Sequence, residues 1–508
     1  MTARIVRTGA FGINRSDDEV RRPRTTFAPM GQQTATETAV PATPHANRAT
    51  LSVLVGGLLT GGLAAYLLVL RQGPDVDLWL HLRIGQFLSG GGRFGLPDPF
   101  ATLADRPYRP TSWLAQLMGH QLWQWGGMAA VQLVRLLLVG SLMGLLWLAA
   151  RRSGSARSAA VGAGTCLLAS AAGWGERPQL AGLVLLAVAS FGWWRALTTR
   201  TTPWWLVPMS WVWVGIHGTW LLGLLLGCGV IVVGIVDEGV HGRMLAKWLG
   251  VQAGSLLAVS LTPLGPGVLG DVLTVGADLR GRVNEWNPPT ATNPLWVLML
   301  GVGVAVLLAW VVRRRLQPGR VLLLVALLAS GSTAVRMIAP AAIALAPLAA
   351  EAWARRSAPF DETVTAERTP GQREGLAWAT GVVTLLCLGT WHTLGMTPPA
   401  PVSPQMSQAL SALPSRTVTV VQADVSGWFL WEHADLNLVR DLRGEVYSPA
   451  VADPYDAAMA GRDTDTYLRS IGVGAALLDR SSPAVSPLEA AHWRIEREDD
   501  RHLLLVRP

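Results

Sequence analysis

Residues 73–100 read GPDVDLWLHLRIGQFLSGGGRFGLPDPF and place Asp75, Asp77, His81 and Asp98 directly after the first long apolar run. On a helix, Asp77 and His81 are four residues apart and share a face, so the imidazole is placed to orient or pair with that carboxylate. Asp75 falls at the helix N-terminus, where an aspartate equally serves to cap the helix and complement its dipole. Asp98, between two prolines, has the setting of a turn residue. Further along, Glu176 and Arg177 in WGERPQ, His217 in IHGTW, Glu285 in NEWNPP and Arg336 stand at the edges of apolar runs. These side chains can act together only if the elements of the chain bring them to one place.

The composition says what those elements are. The chain has 508 residues, 50% hydrophobic and 15% charged, against about 25% charged in an ordinary globular domain. Mean hydropathy is positive, which is a membrane-class composition. The formal charge of +8 is almost all arginine, with Lys247 the only lysine. Much of it lies just beyond apolar runs, the pattern of topology determinants rather than of a nucleic-acid surface, so no nucleic-acid partner is expected. Cys166, Cys228 and Cys387 each lie inside an apolar run and build neither a disulfide framework nor a zinc site.

Runs long enough to cross a bilayer fall at 51–70, 127–149, 156–173, 178–196, 219–236, 244–262, 294–312, 320–336, 338–353 and 376–394. The stretch 203–236 is too long for one helix. Splitting it at IHGTW adds a span at 203–217 and makes about eleven. With a cytoplasmic N-terminus, alternate loops then receive Arg151, Arg152 and Arg157; Arg195 and Arg200; Arg243 and Lys247; Arg313, Arg314, Arg315 and Arg320; and Arg355 and Arg356. Every basic cluster lands inside, as the positive-inside bias requires. The same topology sends Asp75, Asp77, His81, Asp98, Glu176, Arg177, His217, Glu285 and Arg336 to the outer side, as an active site at the outer interface needs.

The expected organisation is a disordered cytoplasmic tail over 1–48 and a multi-span domain over 49–395 with a large first outer loop at 71–126. A linker at 396–415 and an extracytoplasmic α/β domain at 416–508 follow. The last is read from the β-type runs TVTVVQAD, LNLVRD, GAALLD, WRIERED and HLLLVRP. The helix that begins near Asp77 is expected to lie in the interface plane, its apolar face in lipid and Trp79 at headgroup depth. The fold class is thus an α-helical polytopic membrane protein with a small C-terminal α/β domain.

The ordered set Asp75, Asp77, Trp79, His81, Gly85, then Pro97-Asp98-Pro99-Phe100, then Trp113-Leu114, resembles the first-loop signature of a large group of bacterial polytopic proteins. Those proteins are similar to the GT-C glycosyltransferases, such as the protein mannosyltransferases and the lipid-A aminoarabinose and galacturonic-acid transferases. ERPQL at 176–180, HGTWLLGL at 217–224, LTPLG at 261–265, NEWNPP at 284–289 and Asp441-Leu442-Arg443 continue the order. The sequence departs from the pattern at Gln116, where a glutamate is usual, at Tyr108 for Trp, and at Leu442 for Gly.

The resemblance implies inverting transfer of a hexosyl or pentosyl group from a polyprenyl-phosphate donor to an envelope glycan, lipid or protein on the outer side of a bacterial plasma membrane. Asp77 or Asp75 is then the base that takes the acceptor proton. His81 and His217 orient it or a substrate hydroxyl. Arg177 and Arg336 bind the lipid phosphate, with Asp98 and Glu285 as further substrate contacts. No cofactor follows; a divalent cation is left open, with Asp75 and Asp77 as its ligands. Blander roles stay open too: Arg177 pairing with Glu176, Arg336 snorkelling, His217 bonding a free carbonyl, Asp441 and Arg443 forming an internal ion pair. So do two other functions, a transporter or flippase of a lipid-linked envelope precursor and a non-catalytic envelope assembly protein. Span centres almost free of charge count against transport.

Overall fold

The computed structural model describes residues 61, 75–153, 156–354, 381–390 and 400–508. The tail over 1–48, and the run 51–70 apart from Gly61, lie outside the described residues. The helices in chain order are α1 (Leu78–Ser89), α2 (Trp113–Ser153), α3 (Ala156–Ala169), α4 (Pro178–Thr199), α5 (Leu206–Ile216) and α6 (Trp220–Val236). Then come α7 (Gly242–Ser260), α8 (Val268–Leu279), α9 (Pro294–Val312), α10 (Pro318–Gly331), α11 (Ile338–Trp353) and α12 (Gly381–Thr390). Each expected run within the described residues carries a helix. Four helical stretches, Trp113–Ser153, Pro178–Thr199, Pro294–Val312 and Val335–Trp353, are long and apolar enough to cross a membrane unaided. The expected break at IHGTW is present: His217 ends α5 in an extended conformation and Thr219 starts α6. The 263–293 segment, expected to be a loop, contains α8.

Local sequence sets the helix limits. Proline opens α4, α9 and α10, where a missing N–H costs nothing, and Asn293 caps α9 by accepting from the amides of Leu295 and Trp296. α2 is broken at Gly126 and Gly127, the latter at φ 56° and ψ −145°, a backbone region open essentially to glycine alone. Nearly every residue of α11 is buried. It is apolar on all sides because it packs against α2, α3, α4, α9 and α10 at once. Contact with α3 is close: a Cβ added to Gly162 would lie 2.7 Å from the Ala350 amide nitrogen, as small-residue helix packing requires. At the far end of α11, Glu351 meets Arg320, which also bonds Asp237 and Glu238. Arg320, expected as one of a basic cluster that sets the topology, is buried.

All five expected strands form: β1 (Val418–Val421), β2 (Asn437–Leu438), β3 (Ala475–Asp479), β4 (Arg494–Glu498) and β5 (His502–Val506). Their order is β2-β1-β3-β5-β4, with β1 parallel to β2 and β3, and β5 antiparallel to β3 and β4. Short helices flank them, including α13 (Pro404–Ser411) and α14 (Ser426–Glu432).

The first loop is part of this domain. Leu80, Ile84, Phe100 and Tyr108 join Val421, Leu438, Leu477 and Leu504 in one apolar core. The amides of Thr102 and Leu103 donate to the carbonyls of Leu438 and Val439, continuing the sheet beyond β2. The apolar face of α1 therefore packs on α2 and α14 rather than in lipid. Asp98 locks the arrangement. Its Oδ1 accepts from the amides of Phe100 and Ala101, and both carboxylate oxygens accept from Arg443, at 2.5 and 2.9 Å. Arg443 also bonds Asp441 at 2.6 Å, the expected internal pair. Expected to touch substrate, Asp98 instead has a side chain 0% exposed.

Breaking this lock tests its weight. Asp98→Asn is expected to cost about 3 kcal/mol, since it weakens charge-assisted bonds inside a buried network. Thermal unfolding of the purified protein in nanodiscs checks this, together with faster proteolysis of the 400–508 region.

Candidate active site

Arg177 precedes Pro178, and the clash with the proline ring drives the preceding residue to extended backbone; here φ is −101° and ψ 153°. This places Arg177 at the N-cap of α4, beside the start of α1. Its Nε donates to Asp75 Oδ1 at 2.6 Å and lies 3.1 Å from Asp77 Oδ2. Its Nη1 donates to Glu285 Oε2 at 3.0 Å. The other Glu285 oxygen faces Arg336 Nη1 at 3.5 Å, and the Arg336 guanidinium stacks 4.2 Å over the Trp286 ring. Asp75, Asp77, Arg177, Glu285 and Arg336, distant in sequence, form one cluster.

Asp77 differs from Asp75 in its bonding and exposure. It occupies the N-cap of α1 but makes no side-chain cap bond. Asp75 instead accepts from the Asp77 amide at 3.1 Å. The Asp77 side chain is 22% exposed, that of Asp75 only 5%. Burial, together with the charges of Asp75 and Glu285, outweighs Arg177 and Arg336 and raises the Asp77 carboxyl to about 6. A carboxylate poised there is matched to proton transfer near neutral pH.

His81 faces Gln116 rather than Asp77. Gln116 Nε2 donates to His81 Nδ1 at 3.1 Å, so the neutral ring carries its proton on Nε2. The glutamate usual at this position would accept from Nδ1 instead and reverse the tautomer. Burial, helped by the nearby Arg177, lowers His81 to about 4. His217 accepts from the Thr219 amide at 3.2 Å, a local bond at the start of α6 rather than one to a free carbonyl. It lies within electrostatic reach of His81, Arg177 and Arg336.

Glu176 does not pair with Arg177. It accepts from Arg135 Nη1 at 2.5 Å, from Gln132 Nε2 at 2.8 Å and from the Asp75 amide at 3.1 Å. Arg135 Nε also donates to the Trp174 carbonyl at 2.8 Å. Arg135 is a buried charge inside the apolar run 127–149, an exception to span centres that are otherwise almost free of charge. Its signal in the sequence is an arginine in an apolar run with a glutamine one turn before it, since an ionised group there must be paired.

Asp75, Asp77 and Glu285 converge on the Arg177 guanidinium, and among the described residues no group of three or more His, Cys, Asp or Glu is arranged to hold an ion.

No protein-family model matches the chain, and no curated protein matches it. Solved structures do. The chain is similar to the Archaeoglobus fulgidus oligosaccharyltransferase, in a crystal structure tethered with an acceptor peptide, at a TM-score of 0.53 and 14% identity over 85% of this chain and 69% of that one. It is also similar to ArnT from Cupriavidus metallidurans in the apo state, at 0.51 and 16% identity over 91% of this chain and 98% of that one. The fold is therefore GT-C-like, that of a membrane protein, as the first-loop residues imply.

The Arg135–Glu176 pair can be tested directly. Arg135→Met strands a carboxylate whose side chain is 1% exposed and is expected to cost about 3–5 kcal/mol. Arg135→Met/Glu176→Gln is expected to recover much of that loss. A double-mutant cycle read by thermal unfolding measures the coupling.

Proposed function

We propose that this protein is a GT-C-like membrane glycosyltransferase, moving a sugar from a polyprenyl-phosphate donor to an envelope acceptor on the extracytoplasmic side. The observation that carries the reading is Asp77: an accessible carboxylate at a helix N-cap, free of any capping bond and held by Arg177. Asp77 takes the proton from the acceptor hydroxyl as the oxygen attacks the anomeric carbon from the face opposite the phosphate. The sugar–phosphate bond breaks, and the lipid phosphate departs with its electron pair. Arg336, which keeps donors beyond its one long contact to Glu285, receives the phosphate oxygens; a guanidinium matches them in bidentate geometry. Arg177 and Asp75 hold Asp77 in place. His81, neutral with its proton on Nε2, serves as a donor to substrate hydroxyls.

Transport draws no support from Arg135, because that in-span charge is closed in a pair with Glu176 instead of lining a path.

A deletion strain of the source bacterium carrying Asp77→Asn at native expression levels tests the assignment. Its polyprenyl-phosphate-sugar pool and envelope glycans, read by mass spectrometry, are expected to match those of the deletion: donor accumulated, product missing. In vitro the same change is expected to slow transfer by about 10²–10⁴-fold. A variant that restores the glycan in full reduces Asp77 to a structural residue.

The pH profile gives a second test. A base works ionised, so the rate is expected to climb as pH rises through about 6 and level off above it. His81, lowered to about 4, stays neutral across that window and adds no limb of its own. A rate constant between pH 5 and 7.5 would contradict the assignment.

A further inference from the structure

We infer that Arg177 is the resident cation of this site: its guanidinium holds the place among Asp75, Asp77 and Glu285 that a divalent ion takes in a carboxylate-built centre, and transfer proceeds without a bound metal. The first clause rests on geometry alone; the last rests on the transferase reading above.

Three carboxylates from two parts of the chain, the first loop and the 284–286 turn, point at one group. The approaches are 2.6 Å from Asp75, 3.1 Å from Asp77 and 3.0 Å from Glu285, all hydrogen-bond distances to nitrogen. A magnesium or calcium ion needs oxygens at about 2.0–2.6 Å on several sides. An ion entering here must first displace the guanidinium from its oxygens. The carboxylates do not need a second cation to be tolerated: Arg177, Arg336 and the positive N-terminus of α4 already oppose them.

The replacement has a chemical consequence. A metal centre depends on ion supply and loses its ion to a chelator, whereas arginine stays charged at every physiological pH. Arginine also supplies directed N–H donors, which a spherical ion does not, here to Asp75 and Glu285 beside its ion pair with Asp77. Arg177 is thus a positioning residue, acting on the reaction through the base it holds.

The test uses full-length protein in lipid nanodiscs, titrated with Mn²⁺ while the free ion is followed by electron paramagnetic resonance. Wild type is expected to show no site that Asp75→Asn removes, and chelator-treated wild type to keep its full transfer rate. Arg177→Ala leaves the three carboxylates around an emptied space. It is expected to gain a stoichiometric Mn²⁺ site, lost again in Arg177→Ala/Asp75→Asn, and to regain part of its rate when Mn²⁺ is added. A stoichiometric wild-type site sensitive to Asp75→Asn overturns the inference, as does loss of the wild-type rate on chelation. A folded Arg177→Ala that gains no ion overturns it as well. If that variant does not fold, the wild-type titration decides. The ion titrations need no substrate, so failure of the transferase reading shows in the transfer assays and leaves the binding result standing.

Discussion

The site depends on one buried carboxylate, Glu176. It ties together three parts of the chain: Arg135 and Gln132 on α2, the turn that leads into α4, and the backbone amide of Asp75 in the first loop. Such a group is stable in an apolar bundle only when its oxygens are fully bonded, which makes the geometry around it nearly obligatory. Glu176 holds the Asp75 amide and its neighbour Arg177 holds the Asp75 carboxylate, so Asp75 and Asp77 meet that arginine. The buried pair thus decides where the more open cluster can be.

The ionic groups divide by exposure. Arg135 with Glu176, Arg443 with Asp98 and Asp441, and Arg320 with Asp237 are closed clusters, buried and mutually bonded. The cluster of Arg177 and Arg336 is more open, with Asp77 and Glu285 partly exposed. It gathers at the N-terminal ends of α1, α4 and α11, whose dipoles favour negative charge. The Arg320 cluster sits at the other end of α11, whose 16 residues extend about 24 Å.

Much of this was legible in the sequence. Apolar runs mark the helices, the Gly after His217 marks the break between α5 and α6, and alternating β-type runs mark all five strands, because each pattern is local. Asp75, Asp77, Arg177, Glu285 and Arg336 were found because each is an ionisable residue at an edge where topology gave it no role. Their mutual pairing was not legible. Neither was the partner of Asp98, 345 residues away, nor the choice of His81 for Gln116 over Asp77, which depends on how α1 lies against α2. The helix α8 was missed inside a stretch read as a connection, and the apolar face of α1 was assigned to lipid because burial by protein and burial by membrane leave the same pattern.

The pairing of the first loop with the C-terminal sheet also governs how the protein is made. The loop carrying Asp77 leaves the ribosome long before Leu438 and Arg443, which complete its core and its ion lock. At about 5–20 residues per second, the 345 residues separating Asp98 from Arg443 take on the order of 20–70 s to synthesise. Through that interval Leu80, Ile84, Phe100 and Tyr108 have no sheet to cover, and Asp98 has no arginine. The first loop therefore matures last although it is made early, and a chain interrupted between residues 390 and 443 carries its apolar helices but lacks the arginine that locks Asp98.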